Sequence, residues 1–399
     1  MSAPRFAHLI ESDGPGGAER MLASLAAALQ TGGNDTVVVV PARGEGWLAR
    51  ELSGAGVRVE AFQLDRPFSP RFARWLADVF RRHRVSLAHS HEFTMAVYGA
   101  WAARKAGIPH LITMHGSRYY AARLQRRIAM RLAAQSSSTT VAVSRSLSEH
   151  LARDLWLRSS RIVTIPNGVR PPVLDGSSTL RAELGLPATA QLAVAVGNLY
   201  PVKGHSVLLD ALGLLAVRFP QLHVAIAGRG ELEGMLRRRA MELHVSDRFH
   251  LLGLRSDIAN VLAGADVFVL PSLSEGVPLA LLEAMLTRKP VIASAVGEVP
   301  IVLDGGRAGA LVPPSDASAL AATVQELLAD AARARALGAA AHARASVTYT
   351  FDVMMTSYRA LYERALRNHP HDARPERVGE PQRQALPERR PPGERAVVR

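Results

Sequence analysis

The chain has 399 residues, 48% of them hydrophobic and 21% charged, with a formal net charge of +13 and no cysteine. That length suggests about two domains, and the missing thiols exclude disulfide scaffolds, iron–sulfur clusters and cysteine-ligated zinc. No uncharged apolar run approaches the ~20 residues of a membrane span, and the stretch 6–10 runs into Glu11 and Asp13 rather than forming a signal peptide, so the sequence predicts a cytoplasmic protein.

Short apolar strands alternate with helix-length segments through the first half. The pattern predicts strands over 6–10, 36–41, 58–64, 86–90, 110–114, 140–143 and 161–165, with helices at 17–31, 47–54, 70–83, 93–106, 118–135 and 145–157. Four consecutive valines at 37–40 fit a strand buried on both faces, as in a parallel sheet. Residues 171–190, with Pro171, Pro172 and Gly176, break the rhythm and read as a linker. The alternation resumes with strands at 191–197, 222–227, 249–252, 266–270, 290–294 and 309–312, and helices at 204–218, 231–243, 256–263, 278–288 and 316–335. The expected fold is therefore α/β: two Rossmann-like, doubly wound domains (1–170 and 191–345) facing across a cleft, with ligands at the carboxyl ends of the strands. A last helix, 346–368, is placed to cross back to the first domain. The proline-rich, mixed-charge tail 369–399 is expected to be disordered.

The positive charge is concentrated. Residues 71–84 hold five arginines against Asp78, and 118–131 hold five with no acid. Both stretches interleave these with Phe72, Trp75 and Phe80, or with Tyr119, Tyr120, Leu124 and Ile128. Basic amphipathic helices suit an anionic membrane surface, although the same pattern also fits a solvated helix face. At 5% aromatic residues, stacking platforms are too sparse to argue for nucleic acid.

The motifs sit at the predicted strand ends. Gly14-Pro15-Gly16-Gly17-Ala18-Glu19 begins a dinucleotide fingerprint, but Glu19 takes the third glycine position, which leaves a glycine turn able to approach a phosphate. His115-Gly116 closes the strand 110–114, where the histidine either faces the cleft or is a hydrogen-bonded structural residue. His89 and His91 share a strand face beside Glu92, but no third metal ligand stands at sensible spacing. Lys203-Gly204 opens a helix after the strand 191–197, which sets a point charge beside a helix N-terminus. Glu275 and Glu283, eight positions apart, flank Gly276-Val277-Pro278-Leu279. An ionised carboxylate accepts two hydroxyl hydrogen bonds, so this pair suits polyol recognition.

Together these motifs resemble the retaining GT-B glycosyltransferases of glycosyltransferase family 4, the group 1 enzymes. The resemblance rests on Gly16–Glu19, His115-Gly116, Ala142-Val143-Ser144, Pro166-Asn167-Gly168-Val169, the run 197–204 and the Glu275…Glu283 pair, in family order over 6–365. It implies a transferase using a nucleoside-diphosphate sugar, UDP more often than GDP, with no metal and no other cofactor. Lys203 and the amides of Gly16 and Gly17 would hold the diphosphate. Glu283 would take the ribose hydroxyls, and Glu275 and the loop Gly276–Leu279 the sugar, close to His115. The nucleobase would lie near Arg255. Asn198 stands where many relatives carry an arginine, so Arg229 is a second candidate for the diphosphate. The acceptor would be a glycan or lipid-linked hydroxyl bound by the first domain, in surface polysaccharide or glycolipid assembly, with 71–84 and 118–131 as possible peripheral contacts with the inner membrane face. The competing readings are an NDP-sugar epimerase, a Rossmann oxidoreductase (which the spoiled fingerprint opposes) and a non-catalytic sugar-nucleotide sensor.

Overall fold

The computed structural model describes residues 3–44, 46–64, 69–116, 118–173 and 177–369. Asp175 and Gly176 of the linker, and the tail from residue 370, lie outside the described residues.

Seven parallel strands form the first sheet: β1 (Phe6–Leu9), β2 (Thr36–Pro41), β3 (Arg58–Phe62), β4 (Leu87–His91), β5 (His110–Met114), β6 (Thr139–Ala142) and β7 (Ile162–Thr164), in the order β3-β2-β1-β4-β5-β6-β7. Six more form the second: β8 (Gln191–Val196), β9 (Leu222–Ala227), β10 (Phe249–Gly253), β11 (Val267–Leu270), β12 (Val291–Ser294) and β13 (Ala310–Val312), in the order β10-β9-β8-β11-β12-β13. The two sheets are built alike. Strand order reverses between β1 and β4 and between β8 and β11, and loops that leave the carboxyl ends there open a crevice. Val38 and Val39 are fully buried, as a strand covered on both faces requires.

The helix Phe351–Asn368 belongs to the first domain by its packing. Phe351, Met354, Tyr358, Leu361 and Tyr362 bury themselves against Phe6, Met21, Leu25, Leu87 and Leu111. Its start is tied to the end of the first domain through Val169, whose N–H donates to the Tyr349 carbonyl at 3.0 Å and whose carbonyl accepts from Phe351 at 2.9 Å.

Several elements differ from the sequence reading. The last helix, expected over 346–368, begins at Phe351, where the Thr350 hydroxyl accepts the Val353 N–H, and residues up to Thr348 belong to the helix before it. The helix expected over 118–135 is two, Arg118–Ala121 and Leu124–Ser136, with extended backbone at Arg123. The helix expected over 316–335 ends at Ala329, because the Asp330 carboxylate accepts from the N–H groups of Ala332 and Arg333 and starts the helix Ala331–Thr348. The linker itself carries the short helix Leu180–Glu183.

Candidate functional site

The crevices of the two sheets meet in a cavity of about 340 Å3. The turn after β1 supplies Gly16 and Gly17, the end of β5 supplies His115, and the loop after β8 supplies Asn198 and Lys203. Arg255 comes from the loop after β10, and the loop after β11 supplies Glu275 through Leu279, with Glu283 one turn into the helix Leu279–Leu286. Of the candidate residues, only Arg229 does not line this space. It is exposed beside Gly228, and its carbonyl accepts the Leu199 N–H at 2.9 Å.

Lys203 and Glu275, 72 positions apart, form an ion pair with Nζ 2.8 Å from Oε1. The Glu275 side chain is 8% exposed and that of Lys203 28%. The fully buried Ser272 donates its hydroxyl to the same carboxylate oxygen at 2.7 Å. Two glycines make the approach possible. Gly204, at φ +63°, packs on the Pro271 carbonyl, and Gly297, at φ +54°, packs on the Glu275 carbonyl; a Cβ at either position would collide with that oxygen.

Glu283 differs from Glu275 in having no side-chain hydrogen bond among the described residues. Burial raises its pKa and Arg20 partly opposes the rise. A half-buried carboxylate that accepts nothing from the protein is a ready acceptor for hydroxyl groups. Residues 276–280 border the cavity around the first turn of the helix Leu279–Leu286, where backbone N–H groups lack intrahelical partners.

Arg20 also lines the cavity, and the sequence reading passed over it. It sits one turn into the helix Gly17–Thr31, held by donation from Nε to the Pro15 carbonyl at 3.2 Å. Its position after Glu19 was the available signal. Arg255, by contrast, is committed: it donates twice to Asp257 at 2.7 and 2.6 Å and once to Glu183 at 2.9 Å. Asn167 lines the same space with a buried Oδ1 that finds no partner among the described residues.

Behind His115 lies a buried histidine cluster. The reading of His89 and His91 found no third ligand; β1 brings one, since ring nitrogens of His8, His89 and His91 all lie within 4.8 Å of one another. Five of the six ring nitrogens are engaged with protein groups, His8 Nε2 being the exception. His89 pairs with the Tyr362 hydroxyl at 2.8 Å and the Thr113 hydroxyl at 2.7 Å, and His8 pairs with His91 at 3.3 Å. Glu92, at φ +64°, accepts the His115 N–H at 3.0 Å, and burial pushes its carboxyl pKa up to about 8.

On the first domain two further hollows extend away from the cleft. One, of about 440 Å3, is bordered by Glu11, Arg43, Thr94 and Tyr119; the next, of about 740 Å3, shares Leu64, Thr94 and Tyr119 with it and adds Phe93, Val97, Trp101, Arg123 and Arg126. The two basic stretches differ here. On the helix Pro70–Arg82, Phe72, Leu76 and Phe80 are buried in the core, so the arginines, Asp78 and part of Trp75 face outward. On the helix Leu124–Ser136, Leu124, Ile128 and Leu132 are exposed at 62%, 47% and 60%. Among the described residues no helix is long and apolar enough to cross a membrane.

Residues 15–171 match the Glycosyltransferase Family 4 model and residues 177–344 the Glycosyl transferases group 1 model. The phosphatidyl-myo-inositol mannosyltransferase of Mycobacterium leprae is 31% identical over 367 residues, 88% of this chain and 94% of that protein. The Escherichia coli UDP-Gal:alpha-D-GlcNAc-diphosphoundecaprenol alpha-1,3-galactosyltransferase is 31% identical over 235 residues, 55% of this chain and 60% of that enzyme. The chain likewise spans about half, 51%, of the D-inositol 3-phosphate glycosyltransferase of Mycolicibacterium smegmatis. In architecture it is similar to Anabaena HepE in complex with UDP, with a TM-score of 0.80 at 23% identity, over 90% of this chain and 100% of that one. Two Rossmann-like sheets facing across a lined cleft are the GT-B arrangement, and the chain belongs to the group 1 glycosyltransferases of family 4.

Proposed function

We propose that the cleft binds a nucleoside-diphosphate sugar, UDP-linked in preference to GDP-linked, and transfers the sugar with retention of configuration to a hydroxyl of a lipid-linked or glycan acceptor. The observation that carries this reading is the convergence of Lys203, Glu275 and the unpartnered Glu283 on one cavity with the glycine turn of the opposite domain. Lys203 takes the diphosphate together with the amides at Gly16 and Gly17. Glu283 accepts from the ribose hydroxyls, and Glu275, anchored by Ser272, accepts from the sugar with His115 beside it. Arg255, rigid in its ion pairs, borders the nucleobase.

In the reaction the bond between the anomeric carbon and the phosphate oxygen breaks as the acceptor oxygen bonds to the same face. The acceptor proton passes to the departing phosphate. Negative charge grows on the diphosphate in the transition state, and fixed cations are the groups that lower its energy. No Asp-x-Asp pair, the usual metal bridge for a diphosphate, occurs in the chain, and Lys203 and Arg20 are the cations available for that work.

A lipid-linked acceptor is favoured by the hollows on the first domain. The one nearer the cleft carries Glu11 and Arg43, and the outer one is mostly apolar with Arg123 and Arg126 at its border. The exposed stripe Leu124, Ile128, Leu132 beside it suits a peripheral contact with anionic lipid. The M. leprae and E. coli relatives are named for phosphatidyl-myo-inositol and diphosphoundecaprenol acceptors.

The test is thermal stabilisation by a panel of UDP-, GDP- and ADP-sugars, with Glu283→Ala as control. A donor at 100 times its Kd adds roughly 2.7 kcal/mol. One donor that stabilises the wild type and not the variant supports the reading; no shift with any donor overturns it. Binding to anionic vesicles at low salt, lost in Leu124→Glu/Ile128→Glu, tests the membrane contact separately.

A further inference from the structure

The histidines behind the cleft form a file. His8 on β1 faces His91 on β4, Nδ1 to Nε2, at 3.3 Å, and His91 faces His115, Nδ1 to Nε2, at 3.4 Å. His8 and His91 are fully buried, and His115 ends the file in the wall of the cavity. The file has one loose end inside the protein: His8 Nε2 is buried with no hydrogen-bond partner among the described residues.

We propose that His8 and His91 are positioning residues that fix the tautomer of His115, so that His115 presents its Nδ1–H to the cleft as a neutral donor. The assignment follows from counting protons. Each nitrogen–nitrogen contact needs one protonated and one bare nitrogen. Only two neutral arrangements satisfy both contacts. One puts a proton on His8 Nε2, a buried N–H with nothing to receive it. The other leaves that nitrogen bare, and an orphaned N–H is the rarer and costlier defect. In the second arrangement His8 Nδ1–H donates to His91 Nε2, and His91 Nδ1–H donates to His115 Nε2. The last proton then stands on His115 Nδ1, which has no partner among the described residues.

Burial keeps the file uncharged. It lowers His8 to about 3 and His115 to about 4, and holds His91 well below its ordinary value. The Glu92 carboxyl on the His115 N–H is itself pushed toward its neutral form, so it supplies no strong counter-charge. A neutral donor suits this place. Under the glycosyltransferase reading, on which this inference rests, positive charge develops on the sugar ring, and an imidazolium there would oppose it.

The experiment is long-range proton–nitrogen correlation on the full chain labelled with 15N-histidine, in the wild type and in His91→Phe, His91→Asn and His89→Phe. In the wild type, His8, His91 and His115 all show the proton on Nδ1. In His91→Phe, His115 is released to a mixture of tautomers, and turnover falls about tenfold with the donor KM little changed. His91→Asn, whose amide nitrogen stands where Nδ1 stood, restores both. His89→Phe, equally buried but hydrogen-bonded to Tyr362 and Thr113 instead, leaves the His115 pattern as in the wild type. A wild-type His115 protonated on Nε2, or a His115 pattern indifferent to His91→Phe, overturns the proposal. The wild-type spectrum decides alone if a variant fails to fold. An Nδ1–H signal on His115 in a protein that moves no sugar from any donor would sink the transferase reading and leave the file standing.

Discussion

Replacing Lys203 by alanine separates its observed ion pair with Glu275 from the diphosphate role proposed for it. Its Nζ lies 2.8 Å from a carboxylate that is 8% exposed, so truncation leaves Glu275 with only the Ser272 hydroxyl. Losing one partner of a largely buried pair costs about 1–3 kcal/mol of stability, and the 28% exposure of Lys203 puts the expected loss at the lower end of that range. The kinetic loss is larger. A preorganised donor aimed at charge that develops in the transition state is worth about 2.7–4 kcal/mol, or 10²–10³ in kcat. Initial rates at saturating donor and urea midpoints on the same preparations measure the two effects. The double variant Lys203→Ala/Glu275→Gln removes the stranded carboxylate and should recover most of the stability and none of the rate. A Lys203→Ala enzyme that folds and keeps kcat within about threefold of wild type would refute the reasoning. So would a double variant that regains rate, since Lys203 would then serve only to hold Glu275.

Glu283→Gln keeps the shape and removes the charge, so the donor KM should rise about tenfold or more with kcat less affected; an unchanged KM removes Glu283 from the ribose. Arg20→Ala should lower kcat more than it raises KM, and Asn198→Arg in that background should restore part of the loss; steady-state kinetics on the two variants decide it. The pH dependence has two limbs. Histidines whose folded pKa is depressed, such as His110 near 3 and His205 near 4, stabilise the fold above their unfolded value of 6.5, and that stability is lost as pH falls from 6.5 toward 4. Glu92, raised from 4.5 to about 8, acts in the opposite sense, costing stability progressively as pH rises from 4.5 to 8. Glu92→Gln should therefore raise the urea midpoint most at pH 8 and above and leave the acid limb in place; equal midpoints at pH 9 would contradict the shift.

The architecture was legible because a parallel sheet writes itself plainly. Runs such as Val37–Val40 have no polar alternation, and the glycine turns fall where strands end. The pairing Lys203–Glu275 was not legible, since nothing in the spacing of 72 residues says that β8 and β11 are neighbours; sheet order creates that contact. The histidine file was hidden for the same reason. His8 is 83 positions from His91, and only the adjacency of β1 and β4, with His8 in register with His89, brings the rings together. The basic stretches show a different limit of the sequence. Both read as basic amphipathic helices, and sequence periodicity does not say which apolar face the core already covers. The core takes Phe72 and Phe80 and leaves Leu124 and Ile128 outside.

The distribution of charge around the cavity bears on how the two domains share the work. Three cations line it, and they are not equivalent. Arg255 is neutralised by Asp257 and Glu183, which fixes the loop but leaves little field for a ligand. Lys203 is half-committed to Glu275, and Arg20 acts on Glu283 from the opposite domain. Under the proposed donor-binding reading, with Asn198 uncharged, the second domain offers the diphosphate one shared lysine and the N-terminal turns around Gly204 and Leu279. Arg20, rooted on the helix that begins at Gly17, brings the remaining charge from the first domain. Under that reading, stabilisation of the leaving group is complete only when the glycine turn and the Lys203 loop face each other. Under the same reading, a donor bound to the second domain alone would be held without being activated.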